Sequence, residues 1–361
     1  MKLIIAGGGT GGHVYPAIAL AQALQKIDKN SEVLFIGTEL GMEKFAVPQA
    51  GYSIEFIHVS GIKGRSFTKK LRAFLQIPFA ILSSIKILRR EKPDALLGVG
   101  GYASGPSLLA AWMLRIPTAI LEPNSIPGFT NRILAFFVRK IFGAFHKTAA
   151  YFSSKHFIVV GGPLRQEFLS AALPTEKKDN KVFHLLVVGG SLGAKALNDV
   201  APKALSFLKE RHLTLHVVHQ TGKGDFERVQ KLYKDLHVDA DVRPFIDDMA
   251  ATYAQADLII CRSGAGTCAE ITAMGLPAIL VPFPHAIYDH QTENAKELVE
   301  TGAAILLPQT EMTPERLALE ISELIRIPAN LKRMRQAALA LGRTDAAEQI
   351  AKSALNNFLL R

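Results

Sequence analysis

The sequence predicts an α/β protein built as two parallel-sheet domains in succession. Three observations carry that reading. Short apolar runs alternate with helical patterns along the chain, a glycine-rich turn closes the leading run of each half, and 361 residues exceed one typical core. With 48% apolar and 20% charged residues, the chain can fill two cores. A net charge of +10 calls for an acidic partner, which nucleic acid, an anionic membrane surface or a phosphorylated substrate would each satisfy. Cys261 and Cys268 lack C-x-x-C spacing, so neither a disulfide framework nor a zinc site is indicated and a reducing compartment is expected. Met1 and Lys2 run straight into the first apolar run without a signal-peptide pattern, which reads as cytoplasmic.

In the first half, residues 3–6, 33–36, 54–59, 95–99, 118–121 and 158–160 read as strands. The first ends in Gly7-Gly8-Gly9-Thr10-Gly11-Gly12-His13, and a helical pattern through Ala17, Leu20, Ala21 and Leu24 follows at once. Backbone N–H groups in such a turn meet a ligand with no Cβ in the way, and the helix end beyond carries partial positive charge. Gly7, Gly9 and Gly12 satisfy the G-x-G-x-x-G of dinucleotide-binding folds. Against a dinucleotide, an ionisable His13 follows the last glycine, Pro16 caps the first helical turn, and Glu39 is the only candidate for the ribose acid. A second glycine-rich turn, 98–106, is expected at the same carboxyl edge of the sheet.

After Gly161-Gly162-Pro163 the pattern restarts. Residues 173–180 read as a polar surface loop, and 184–188 lead into Gly189-Gly190-Ser191-Leu192-Gly193. Later strands are read at 214–218, 258–261, 278–281 and 304–307. Glycine loops on facing edges of two such domains suggest a cleft for a two-part substrate. The last stretch, 344–361, puts Ala347, Ile350, Ala351, Ala354, Leu355, Phe358 and Leu359 at helical spacing; that helix packs on the second domain or crosses back to the first.

The stretch 69–90 is the most apolar of the chain, flanked by Lys69, Lys70 and Arg72 at one end and by Lys86, Arg89 and Arg90 at the other. Gln76, Pro78, Ser83, Ser84 and Lys86 interrupt it, so it does not span a bilayer. It reads as an interfacial patch, apolar face in lipid and basic flanks on anionic headgroups, or more plainly as a buried helix with a solvated basic end. Trp112 with Arg115, and Phe136-Phe137-Val138-Arg139-Lys140, repeat the pairing of bulky apolar with basic residues and favour the patch. Nucleic acid is disfavoured, because the basic residues are interleaved with aliphatic side chains rather than base-stacking aromatics.

Two segments of the second half concentrate polar groups at strand ends. In 261–270, Ser263, Gly264 and Gly266 allow close ligand approach, and Glu270 suits a sugar diol or simply a helix start. The loop 282–294 carries His285, Asp289, His290, Gln291, Thr292 and Glu293; Asp289 and Thr292 also read as helix caps. No metal site is expected. Asp239 and Asp241 read as surface charge, and His216 and His219 point to opposite faces of their strand. Neither a G-x-S-x-G elbow nor a G-K-[ST] phosphate loop occurs.

The stretches GGGTGGHVYPA from Gly7, GVGGYASGP from Gly98, NSIPGFTNR from Asn124, GGPLR from Gly161, VVGGSLGAKALN from Val187, FIDDM from Phe245, RSGAGTCAE from Arg262 and PFPHAIYDHQTENA from Pro282 together resemble the MurG family, almost end to end and in order. These are bacterial transferases that add N-acetylglucosamine to undecaprenyl-pyrophosphoryl-muramoyl-pentapeptide in peptidoglycan synthesis. The resemblance implies two Rossmann-like domains facing across a cleft, the GT-B architecture. Residues 1–161 would form the acceptor and membrane-facing domain, joined by the returning helix 344–361, and 162–343 the UDP-sugar domain. It implies an inverting transfer needing neither cofactor nor metal, at the cytoplasmic face of the plasma membrane, with cell-wall synthesis proteins as possible partners. Arg165 and Ile246 match positions near the uracil, Ser191 a phosphate contact, Glu270 the ribose hydroxyls, and Gln291 with His290 the sugar hydroxyls. Asn124 matches a residue reaching the sugar from the first domain, and Thr10, His13 and Tyr102 match the acceptor side. Gly11, Gly12, Gly190 and Ala265 belong to the ligand-facing turns.

The chain departs from the family in having Leu121-Glu122-Pro123-Asn124 where His-Glu-Gln-Asn is common, and Gly162 where Asn is usual. The chemistry needs a base for the acceptor 4-hydroxyl, and neutral His13 suits it; if the glycines around His13 instead bind the acceptor pyrophosphate, Glu122 is the competing base. Rival readings are another UDP-sugar lipid transferase such as a diacylglycerol glycosyltransferase, a UDP-sugar epimerase, and a non-catalytic UDP-sugar sensor.

Overall fold

A computed structural model describes residues 1–59, 67–152, 156–171, 182–209 and 214–358, with the side chains of 67–74, 209 and 287 outside that description. The surface loop read at 173–180, the side chains of Lys69, Lys70 and Arg72, and Leu359 therefore lie outside the described residues. The chain forms two compact units, Met1–Arg165 with Arg343–Arg361, and Gln166–Gly342. The boundary expected at 161/162 falls shortly before the first crossing.

The first unit is a seven-stranded sheet of β1 (Lys2–Gly7), β2 (Glu32–Gly37), β3 (Ser53–Phe56), β4 (Ala95–Gly100), β5 (Thr118–Glu122), β6 (Lys140–Gly143) and β7 (Phe157–Val159). Its order is β3-β2-β1-β4-β5-β6-β7, and every pairing is parallel. Order reverses between β1 and β4, so the carboxyl ends of these strands open the crevice where ligands of such sheets bind. Burial on both faces explains the continuous apolar runs: Leu3, Ile4, Ile5 and Ala6 are all fully buried. One face packs Leu3, Ile5 and Leu97 under helix Gly11–Ile27, and the closing helix Ala346–Leu355 lies beside it, adding Ile350, Ala351 and Ala354. The other face packs Ile4, Leu96 and Ile120 under helices Phe67–Glu91 and Ser104–Met113.

Three local expectations change. The strand read at 54–59 ends at Phe56. Helix Gly11–Ile27 begins within the glycine run, so Pro16 lies inside it, where its missing N–H removes one helical bond, rather than capping its first turn. Phe136–Lys140 is not one patch: Phe136 is 87% exposed, Val138 is buried, and buried Lys140 opens the strand β6, which the apolar pattern did not disclose.

The second unit repeats the plan with β8 (Phe183–Val188), β9 (Leu215–Gln220), β10 (Asp241–Arg243), β11 (Leu258–Cys261), β12 (Ala278–Leu280) and β13 (Ala304–Leu306), ordered β10-β9-β8-β11-β12-β13 and parallel throughout. Its switch point lies between β8 and β11. Asp241, read as surface charge, accepts a hydrogen bond from Arg243 Nε at 2.9 Å.

Candidate active site

In the first unit the turns after β1 and β4 interlock. Gly8 N–H donates to the Gly100 carbonyl at 3.1 Å. Gly101, at φ +82°, lies so close to the Gly8 carbonyl that a Cβ there would collide with it. His13 enters on helix Gly11–Ile27, partly exposed, with its ring against Gly100; a Cβ on Gly100 would stand 2.8 Å from His13 Nε2. Thr10, the helix N-cap, places its hydroxyl oxygen 3.4 Å from His13 Nδ1. Thr10, Gly11, Gly12 and His13 thus share one turn, and exposed Tyr102 follows Gly101 in the other. Arg165 belongs to this unit, its guanidinium 5.1 Å from the centroid of the Tyr15 ring.

At the end of β5, Glu122 is buried and organises the next loop. Its Oε1 accepts from Asn124 N at 3.0 Å and Nδ2 at 3.4 Å, and its Oε2 from Gly128 N at 3.0 Å and Asn131 Nδ2 at 2.8 Å. Burial pushes the carboxyl pKa up, and these donors oppose the shift. Leu121, one of the departures noted from sequence, is buried in the core beside Phe142 and Leu97.

In the second unit, the turn after β8 is held from below by β9. Gln220 is buried at the end of β9; its Nε2 donates to the Gly190 carbonyl at 3.0 Å and its Oε1 accepts from Ile246 N at 2.8 Å. One amide therefore fixes Gly190, the exposed Ser191 beside it and Ile246 together. Beneath lies a buried network: His219 Nδ1 is 2.9 Å from the Tyr233 hydroxyl and its Nε2 3.1 Å from Asn198 Oδ1, while Asn198 Nδ2 donates to the Thr221 carbonyl at 3.0 Å and to Asp225 at 2.7 Å. Since Asn198 Oδ1 can only accept, His219 is assigned as the Nε2–H tautomer. The opposite-faces reading of His216 and His219 agrees with this: His216 is exposed and His219 buried.

Burial holds the His219 pKa down to about 3 from 6.5. Below pH 6.5 the unfolded chain binds a proton that the folded chain refuses, so this stabilisation is complete above pH 6.5 and is lost as pH falls toward 3. At about 1.4 kcal/mol per unit, the advantage of the parent over His219→Gln shrinks by about 3 kcal/mol between pH 7 and 4. Urea unfolding of both proteins across that range measures it, and a constant difference contradicts it.

After β11, Gly264 caps helix Ala265–Met274, and Glu270 lies 3.5 Å from the Tyr253 hydroxyl. Ser263 donates to the Gln291 carbonyl at 2.8 Å, and Gln291 Oε1 accepts from Phe283 N at 2.9 Å, which ties the 282–294 loop to the β11 turn. His290 opens helix His290–Glu300 after Tyr288 and Asp289, both left-handed at φ 56° and 53°. Asp289 is the N-cap of that helix, as read, and its side chain accepts the Thr292 hydroxyl at 2.7 Å rather than a backbone N–H. Ser191, Gly190 and Ile246 are thus joined through Gln220, and Ala265 and Gln291 through the Ser263 turn. Glu43, Gln220 and the Asn198–His219 pair escaped the sequence reading, although Gln220 stands at a strand's carboxyl end, where ligand-facing turns start.

Two Rossmann-like units, each with glycine turns at its switch point, are the GT-B architecture, and the family match makes the class that of the glycosyltransferases. Residues 3–143 match the N-terminal domain of glycosyltransferase family 28 and residues 184–350 its C-terminal domain. The chain belongs to that family and, within it, to the MurG transferases. It is 47% identical over 351 residues, 97% of this chain and 91% of the relative, to a protein of Myxococcus xanthus. It is 46% identical over 355 residues, 98% of each chain, to one of Syntrophus aciditrophicus. Both are named UDP-N-acetylglucosamine–N-acetylmuramyl-(pentapeptide) pyrophosphoryl-undecaprenol N-acetylglucosamine transferase. The crystal structure of Acinetobacter baumannii MurG superposes with a TM-score of 0.81 at 35% identity, covering 98% of this chain and 99% of that one. A UDP-N-acetylglucosamine 2-epimerase of Neisseria meningitidis shares the fold alone, with a TM-score of 0.70 at 16% identity over 99% of this chain and all of that one.

Proposed function

We propose that the chain moves N-acetylglucosamine from UDP-N-acetylglucosamine to the 4-hydroxyl of the muramoyl sugar of undecaprenyl-pyrophosphoryl-muramoyl-pentapeptide, with inversion. The observation that carries this is near-full-length identity of 46–47% to transferases of that name. In the reaction the 4-oxygen attacks the anomeric carbon, the bond from that carbon to the phosphate oxygen breaks, and the hydroxyl proton passes to His13 as UDP leaves. Thr10, whose hydroxyl oxygen is 3.4 Å from Nδ1, and Gly100, against which the ring lies, orient the imidazole for that role. Glu122 is the weaker base candidate, since both its oxygens already accept N–H bonds that shape the loop. On the donor side, Ser191 and the N–H groups of the 189–193 turn meet the diphosphate, Ile246 and Arg165 the base, Glu270 the ribose, and Gln291, His290 and Asn124 the sugar.

Incubation with labelled UDP-N-acetylglucosamine and a short-chain muramoyl lipid, followed by product identification, tests the reading. A diacylglycerol acceptor run alongside separates the nearest rival. Absence of transfer to the muramoyl lipid overturns the proposal.

We assign membrane contact to helix Phe67–Glu91, where Leu75, Phe79 and Leu82 are 60%, 70% and 56% exposed at helical spacing and Lys86 continues the stripe. Exposed Trp112 and Met113 end the helix packed beside it. Among the described residues no helix is long and apolar enough to cross a membrane, so contact would be interfacial. Changing Leu75, Phe79 and Leu82 to serine is expected to lower partitioning onto anionic phosphatidylglycerol vesicles by at least about tenfold, with transfer to a soluble acceptor kept. Equal sedimentation with vesicles would remove the helix from the contact.

A further inference from the structure

The turn between β1 and helix Gly11–Ile27 carries an internal anion. Glu43, the first residue of helix Glu43–Gln49, is 2% exposed, and its side chain reaches the carboxyl ends of β1 and β2. Its Oε2 accepts from Gly9 N at 2.6 Å; its Oε1 accepts from Thr38 N at 3.0 Å and the Thr38 hydroxyl at 2.9 Å. These three partners are donors, which suits an acceptor-only carboxylate. The surrounding glycines leave room for it: a Cβ on Gly8 or Gly41 would collide with the Glu43 carboxyl group, and one on Gly37 would stand 2.7 Å from its Cγ. Three glycines around this turn are therefore cut to the shape of a protein side chain rather than of a ligand.

On its other side the same turn bears on Gly100 and Gly101, and Gly100 carries the His13 ring. Glu43 and the β4 turn thus grip Gly8 and Gly9 between them, one residue before Thr10.

We infer that Glu43 is a positioning residue for the transfer step: its buried carboxylate fixes the turn leading into Thr10 and His13 and takes the Gly9 N–H that a bound phosphate would otherwise use. The acceptor pyrophosphate is then held elsewhere than at Gly9. This rests on the reading of His13 as base.

Glu43→Gln keeps the shape and removes the charge. Expected with the soluble lipid acceptor is a kcat at least about tenfold lower, with the KM for UDP-N-acetylglucosamine within about twofold of the parent. In Glu43→Ala, formate should restore turnover saturably, and chloride at equal ionic strength should not. Hydrogen exchange of the Gly8–Gly12 segment should quicken in Glu43→Gln, a readout that needs no activity. A kcat within twofold of the parent, a donor KM rising in step with the loss, or no rescue by formate overturns the inference. If Glu43→Ala does not fold, the kcat and KM split of Glu43→Gln decides. A parent inactive on the muramoyl lipid would overturn the proposed function instead, while the exchange result still reports on the Glu43 contact.

Discussion

His13→Ala is expected to lower turnover at least about 100-fold, the lower end of what a positioned acid–base group contributes, and to leave UDP binding within about twofold. The two halves of that expectation have separate origins. A sugar hydroxyl is far too weak an acid to lose its proton in advance, so removing the acceptor of that proton raises the barrier of the chemical step. Apart from Arg165, the UDP contacts are assigned to turns of the other unit, and their supports at Gln220 and Asn198 belong to that unit as well. The fold should also survive, because His13 is only partly buried and stands on the exposed side of its helix start, beside Gly100. Single-turnover kinetics with calorimetric UDP titration measures both halves. Unchanged turnover removes His13 from the mechanism and returns attention to Glu122.

Gly193→Ala is expected to cost about 2–4 kcal/mol of stability and to raise the KM for UDP-N-acetylglucosamine at least about tenfold. Gly193 has φ +79°, and an added methyl would collide with the Thr221 carbonyl. That carbonyl cannot retreat, since it accepts from Asn198 Nδ2 and Asn198 is locked by His219 and Asp225. The turn itself must move, and with it the N–H groups assigned to the diphosphate. Gly190→Ala is the control for stability: its φ of +92° is equally left-handed, but a Cβ there meets no protein atom within 4 Å, so only the backbone penalty of about 1–2 kcal/mol applies. Urea unfolding of both variants measures that contrast and donor kinetics on Gly193→Ala the effect on the ligand; equal stability of the two variants, or an unchanged donor KM in Gly193→Ala, contradicts the expectation.

What could be read without coordinates follows from where the physics is local. Strands buried on both faces announce themselves as apolar runs, and β1, β4 and β8 were legible for that reason. Glycine turns are legible because positive φ at Gly9, Gly101 and Gly190 tolerates little else. β6 was not, because four residues opening with lysine, preceded by exposed Phe136, look like a surface pattern until β5 supplies the neighbour. Glu43 was hidden for a different reason: an acid at a helix start is ordinary, and only the return of Gly8 and Gly9 beside it shows what the carboxylate holds. His219 was read as a strand residue and Gln220 lay beyond the strand read at 214–218; the partners of both come from Ile246, Gly190 and Asn198, distant in sequence. Leu121 stood out as a departure, and its meaning as core filler came only with Phe142 in place.

The closing helix has a consequence for how the protein is made. Ile350, Ala351, Ala354 and Phe358 finish the core beneath helix Gly11–Ile27, Phe358 sits 6.2 Å from Phe142, and Arg139 donates to the Asn357 carbonyl at 3.2 Å. The unit whose strands are made first is thus the one whose core is finished only by residues made after the whole of the other unit. The second unit carries every strand of its own sheet by Leu306 and can complete its core first, so the order of synthesis and the order of closure run in opposite directions.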